Sequence, residues 1–140
     1  MSSLAALFLP LLLLTAMLAV PLTAEDAKAD ERCFEMRTYT AAPGKTAAMH
    51  ARFRDHTNAL FTKHGMTIIG YWTPTDGETA ANTLVYILAY PNRAAATASW
   101  KAFGADPVWV KAKGESEADG KLVDKVVSVF LKPTDYSPIK

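Results

Sequence analysis

The sequence predicts an α+β domain of β-α-β-β-α-β order, the split βαβ or ferredoxin-like arrangement, with a four-stranded antiparallel sheet. Three observations lead there. Four short runs rich in β-branched and aromatic residues are separated by two stretches of helical spacing. Turn and cap residues fall where those periodicities change. The second and third strand runs also lack a polar face, so the sheet needs apolar cover on both sides.

Taken in order, "CFEMRTYTA" at 33–41 alternates, with Phe34, Met36 and Thr38 on one side and Glu35, Arg37 and Tyr39 on the other. "APG" breaks this strand, and a helix starts near Lys45 and ends at "KHG", where Gly65 suits the left-handed residue beyond a helix end. "MTIIGYWTP" at 66–74 is a second strand, closed by Pro74 and "TDG"; "NTLVYILAY" at 82–90 is a third. "PNR" opens a second helix, with Ala96, Trp100 and Phe103 at core spacing. "ADPVWVKAKG" is a short extra helix with Asp106 as cap, Pro107 at its first position and Gly114 at its end. "DKVVSVFLKP" at 124–133 is the last strand.

The pairs Ile68–Ile69 and Tyr71–Trp72, and the unbroken run from Leu84 to Leu88, make both sheet faces apolar. Helices cover one face, so a second copy of the chain is expected on the other. Two sheets packed face to face, or closed into one barrel, give a symmetric homodimer.

The chain has 140 residues, enough for one domain with a core. Its net charge is +1, and no basic stripe or polybasic patch points to nucleic acid or a membrane surface. The first charged side chain is Glu25, preceded by an almost wholly apolar run with small residues at its exit. Residues 1–24 therefore read as a cleaved secretory signal, 25–33 as a short linker and 34–138 as the folded domain. The expected location is periplasmic or secreted, without stable membrane association once the signal is removed. The alternative is an uncleaved N-terminal anchor, since residues 4–20 approach the roughly 17–25 needed to span a bilayer. Cys33 is the only cysteine and reads as a half-buried strand thiol, with an intermolecular disulfide as the alternative.

Six segments in order, "FEMRTYTAAPGK", "RDHTNALFTKHGM", "GYW", "LVYILAYPNR", "SWKAFGADPVW" and "SVFLKPTDYSP", together resemble the NIPSNAP family from about Phe34 to Pro138. That resemblance implies a dimeric α+β barrel. It implies little about activity: bacterial-type members have no settled biochemical role, and mammalian relatives are mitochondrial, linked to vesicular transport and mitophagy signalling. The export signal departs from that setting.

All three histidines lie in "MHARFRDHTNALFTKHGM" at 49–66. On a helix, His50 and His56 sit about 9 Å apart along the axis, and His56 and His64 about 12 Å. No pair has the four-residue spacing that chelates an ion, so no metal site is expected. His56 falls on a stripe with Met49, Phe53 and Leu60, where its ring needs partners; it is the candidate for proton transfer, against a structural role. His64 is expected to favour the helix C-terminus, and His50 to face solvent.

The second constellation is Glu35, Arg37 and Tyr39. With Phe34 and Met36 towards the helices, this trio is expected to face the barrel interior, as a structural ion pair or as the polar anchor of a ligand. Tyr71, Trp72 and Tyr86 would supply an aromatic lining, while Trp100, Phe103 and Trp109 read as core. No nucleophile motif, phosphate loop, metal set or dinucleotide fingerprint appears, and no cofactor is expected. The reading is an exported homodimeric module that binds a small apolar or aromatic ligand or a partner. The alternative is an enzyme of the same barrel superfamily, a cofactor-independent oxygenase, a haem-degrading type or a cyclase; a third reading is a structural role in which the dimer interface is fully packed and nothing binds.

Overall fold

The computed structural model describes residues 31–140, so the expected signal peptide and linker residues 25–30 lie outside the described part. Strand β1 (Cys33–Ala41) is followed by a long helical stretch in three pieces. These are α1 (Thr46–Arg52), a π-helical turn (Phe53–Thr57) and α2 (Asn58–Lys63). Then come β2 (Thr67–Trp72), β3 (Thr83–Tyr90), α3 (Arg93–Ala105), α4 (Pro107–Ser116) and β4 (Val123–Leu131).

The four strands form one antiparallel sheet in the order β2-β3-β1-β4, which is the ferredoxin-like topology. Local chemistry sets the boundaries much as the sequence predicts. Gly65, just past α2, has φ 77°. Asn92 caps α3 by accepting from the Ala95 N–H, and Asp106 caps α4 by accepting from the Val108 N–H, with Pro107 in the first turn. One end differs: α4 runs through Gly114 to Ser116, because an exposed glycine weakens a helix without stopping it.

The strand faces are the reverse of the expectation. Glu35, Arg37 and Tyr39 point at the helices, with Leu88, Tyr86 and Leu84 opposite them on β3. Phe34, Met36 and Thr38 point outward, in register with Ala89, Ile87 and Val85 on β3 and with Leu131, Val129 and Val127 on β4. Polarity assigned the trio to the wrong side, because β1 is an inner strand with neighbours on both edges and both of its faces hold apolar company. What decides the matter is a partner on α3, the Trp100 indole, which bonds Glu35.

A bulge between Ile68 and Gly70 shifts the β2 register. It places Ile68 and Tyr71 on the helix side and leaves Ile69 and Trp72 on the outer side. Gly70 leaves room there for the Trp72 ring, which would have to shift for a Cβ that came within 2.8 Å of it. The core lies between sheet and helices, around Met49, Phe53, Phe61, Tyr86 and Phe103. On the outer face the C-terminal tail folds back, so that Ile139 shares a groove with Phe34, Ile69, Ile87 and Leu131. The Arg32 guanidinium bonds the Lys140 carbonyl, and Lys132 pairs with Glu31 at 2.6 Å.

Candidate functional site

The helix side of the sheet carries an aromatic layer with one saturated charge beneath it. The Glu35 carboxylate is buried and accepts four hydrogen bonds. Oε1 takes the Arg37 guanidinium at 2.7 Å and the Ser128 hydroxyl at 2.6 Å; Oε2 takes the Tyr90 hydroxyl at 2.8 Å and the Trp100 indole N–H at 2.6 Å. Burial works against its charge, yet those bonds together hold its pKa below the usual carboxylate value. A carboxylate has about four acceptor positions, and all of them are used. Glu35 therefore positions other groups and cannot itself take a ligand.

What it positions is Arg37. The guanidinium stacks 4.2 Å from the Trp100 ring centre and 5.6 Å from that of Tyr39. Burial opposes its charge, but the Tyr39 and Tyr86 phenols and Glu35 keep it firmly protonated. Its Nε is buried without an acceptor. The Tyr86 and Tyr71 hydroxyls are likewise buried without partners. Burial, reinforced by the nearby Tyr39 phenol, raises the Tyr86 pKa well above its usual value and pushes Tyr71 up to about 12. At neutral pH both phenols keep their protons; Tyr71 is available as a donor, while Tyr86 lies against the Tyr39 phenol.

Phe53 gathers this layer. Its ring centre lies 5.7 Å from Tyr39, 5.3 Å from Tyr86 and 5.8 Å from Tyr71, all edge-on. On one side of Phe53 a cleft of about 280 Å³ opens between the helices and the β1–β4 part of the sheet. Its walls are Tyr39, Phe53, Phe61, Phe103 and Trp109, with Val123 and Val126 as floor. Its polar residues are Arg52, Thr57, Lys113, Glu117 and Lys121. On the other side, His50, Arg54, Asn58, Tyr71 and Leu84 complete a second groove with Phe53.

The π turn shapes the cleft. One extra residue in the turn rotates the helix surface, so buried positions follow Met49, Phe53, Thr57 and Phe61 at four-residue intervals. The Thr57 hydroxyl donates to the Arg52 carbonyl five residues back, at 3.2 Å. Thr57 thereby takes the position expected for His56, and His56 is exposed on the far side of the helix, in a shallow surface groove beside Asp55 and Ser116. His56 is not part of the site.

The other expectations divide. Arg37, Tyr39, Tyr71 and Tyr86 lie on one face, under the helices rather than in the barrel interior where they were expected. Trp72 is on the opposite face and half exposed. His50 is half buried beside Tyr71 instead of facing solvent. His64 does stand at the end of α2, but its Nε2 bonds the buried Asp106 carboxylate at 2.7 Å, which Lys63 also reaches at 2.7 Å. The Lys63 and His64 bonds and the Val108 N–H hold Asp106 well below the usual carboxylate range. This cluster ties α2 to α4. Cys33 is buried in the strand, and burial raises its thiol pKa. Among the described residues no three His, Cys, Asp or Glu side chains converge as a metal set.

Arg52 was not among the expected site residues, and Trp109, expected as core and packed against it, also walls the cleft. The Arg52 side chain is 5% exposed, pairs with Glu117 at 2.7 Å and lies 5.3 Å from the Trp109 ring centre. The usable signal was local: Arg52 adjoins Phe53, inside the buried repeat that runs from Met49 to Phe61.

With this geometry in place, the comparisons are specific about family. The NIPSNAP family profile matches residues 34–138. The chain belongs to the NIPSNAP family. No curated protein matches it in sequence. Among solved structures it resembles an uncharacterised NIPSNAP domain protein from Burkholderia xenovorans, at 26% identity and TM-score 0.64, over 76% of this chain and 98% of that one. A NIPSNAP family protein of unknown function from Agrobacterium tumefaciens is 22% identical, with TM-score 0.68, over 79% and 96%. More distantly, the fold is shared with SnoaB, a cofactor-independent oxygenase from Streptomyces nogalater, at 14% identity and TM-score 0.51, over 77% and 98%. This NIPSNAP chain thus has the α+β fold that its strand order indicates, and distant neighbours of the same fold include an oxygenase.

Proposed function

We propose that this NIPSNAP protein is an exported homodimeric module that binds a small, largely apolar or aromatic ligand in the cleft between helices and sheet. The observation that carries the reading is the cleft itself: about 280 Å³, walled by aromatic rings, with Arg52, whose Nε is buried without an acceptor, in its lining. A few fixed polar groups on an apolar wall are the usual composition of a small-molecule site, and a buried unpartnered donor costs stability unless something accepts from it. Export is supported by the apolar leader and its small-residue exit. Dimerisation is supported by the outer sheet face, where Val127, Val129 and Leu131 are 41%, 42% and 37% exposed.

The test is native mass spectrometry of the mature protein purified from its own source without refolding. A co-purifying small molecule is expected, and Val126→Trp, which fills the cleft floor, should release it while leaving the thermal transition in place. Repeated recovery of empty protein would count against the binding reading.

A second reading, a cofactor-independent enzyme, rests on one observation. The protonated Tyr86 phenol and the Arg37 guanidinium stand together behind Tyr39, as donors of the kind that stabilise a developing oxyanion. If the recovered molecule is converted in air, Tyr86→Phe and Arg37→Lys should slow the conversion; an unchanged rate in both would remove them from the chemistry.

A further inference from the structure

We infer that the cleft is selective for a monoanion, an aromatic carboxylate whose ring lies against Phe53, Phe61 and Trp109, whose oxygens bond the Arg52 guanidinium and whose charge is balanced by Lys113. This rests on the binding reading above and narrows it to a ligand class. Three observations carry it.

The first is Arg52 itself. Its NH1 bonds Glu117 at 2.7 Å and the Ser116 hydroxyl at 3.3 Å, while its Nε is buried with no acceptor in the protein. A guanidinium held only to fasten α1 to α4 would use its whole fork, since an orphaned buried N–H is costly. The second is charge. The cleft is lined by Arg52, Lys113 and Lys121 against Glu117. Glu117 answers Arg52 at 2.7 Å, and Asp124 answers Lys121 at 2.9 Å, which leaves Lys113 and an excess of one positive charge. One charge suits a carboxylate better than a phosphate dianion. The third is place: Trp109 packs beside the Arg52 guanidinium, so an aromatic ring and its carboxylate reach their partners within one small space.

The experiment is isothermal titration of the mature protein with 2-naphthoate and with 2-naphthamide, which has the same ring system without the charge. Naphthoate should bind about ten-fold or more tightly than naphthamide, as expected of a charge-assisted hydrogen bond in a buried site. Arg52→Gln should abolish that preference while leaving naphthamide affinity within about three-fold. Glu117→Gln should strengthen naphthoate about three-fold or more and leave naphthamide unmoved, because it frees the guanidinium from a competing carboxylate. Val126→Trp should weaken both probes, which places them in the cleft rather than on the outer sheet face.

Equal affinity for the two probes overturns the anion assignment and leaves the cleft as an apolar site. If Arg52→Gln unfolds and Glu117→Gln leaves naphthoate unchanged, Arg52 belongs to the fold alone and the inference falls. Absence of binding by either probe at about 1 mM, a binding energy near 4 kcal/mol, overturns both the inference and the cleft reading.

Discussion

Replacing Glu35 with Gln should destabilise this protein by about 3–5 kcal/mol, the usual cost of removing one partner from a buried ion pair. The structure shows where the loss arises. The carboxylate accepts four bonds, from Arg37, Ser128, Tyr90 and Trp100. A glutamine side chain offers one acceptor oxygen and turns an NH2 towards the other two donors. Ser128 and Tyr90 can rotate their hydroxyls to accept from that NH2, whereas the Trp100 indole and the Arg37 guanidinium cannot. The amide oxygen therefore stays with Arg37, and the Trp100 N–H is left facing a donor. For a domain of this size, about 3 kcal/mol lowers Tm by roughly 10 °C. Thermal and urea denaturation of Glu35→Gln, Trp100→Phe and the double variant would measure it. Removing the orphaned indole N–H should make the double variant less destabilised than the two single effects added, by about 1 kcal/mol. The pH dependence follows from the lowered pKa. Because the folded value lies below the usual 4.5, Glu35 contributes its stability fully above that value. The contribution is lost as pH falls through the lower folded value, so the gap between wild type and Glu35→Gln should narrow in acid. A Tm within about 3 °C of wild type at neutral pH would refute the role given to this carboxylate.

Phe53→Ala should cost about 3–5 kcal/mol and merge the cleft with the neighbouring groove, since the Phe53 ring is a wall of both; denaturant melts and a probe-binding titration would show it. His56→Ala should change stability by no more than about 0.5 kcal/mol and leave ligand affinity unmoved, because the imidazole is exposed; a larger effect on binding would return it to the site. Asp106→Ala should lower Tm and speed amide exchange at Val108, whose N–H the carboxylate caps at 2.8 Å, as read by hydrogen–deuterium exchange. Val127→Lys with Val129→Lys should give a folded monomer in sedimentation, against the dimer expected of wild type.

Much of the fold was legible because its signals are local. The strand at 33–41, the glycine after the first helical stretch and the Asp106–Pro107 start of α4 each follow from the chemistry of one or two residues. The candidate site was harder to read for three separate reasons. The face of β1 cannot be read from alternation in an inner strand, and its deciding partner, Trp100, is 65 residues away. The exposure of His56 depends on one inserted residue in a helix, which a 3.6-residue period cannot register. The four-residue spacing of Met49, Phe53, Thr57 and Phe61 does carry that signal, although Thr57 does not look like a core residue. Arg52 escaped because an arginine within a surface helix normally reads as solvated. Only Glu117 and Trp109, brought over by α4, give it a buried place.

The reversed face of β1 also changes the case for a second copy of the chain. Had Glu35, Arg37 and Tyr39 faced outward, the outer surface would have carried a charged pair and a phenol, and water could have covered part of it at little cost. With the trio turned inward, β1 presents Phe34, Met36 and Thr38, flanked by Ala89, Ile87 and Val85 on β3 and by Leu131, Val129 and Val127 on β4. Three strands thus show one face with no charged group across three successive registers. The chain covers one end of it with its own tail, through Ile139 against Phe34 and Leu131, and leaves Val127 and Val129 open. Each Å² of such surface removed from water is worth roughly 25 cal/mol, so the open part is a standing incentive to association. The same inversion separates the two tasks of the sheet. Its inner face holds the aromatic layer and the cleft, and its outer face is apolar and partly open, so a change on one face can be assayed without disturbing the other.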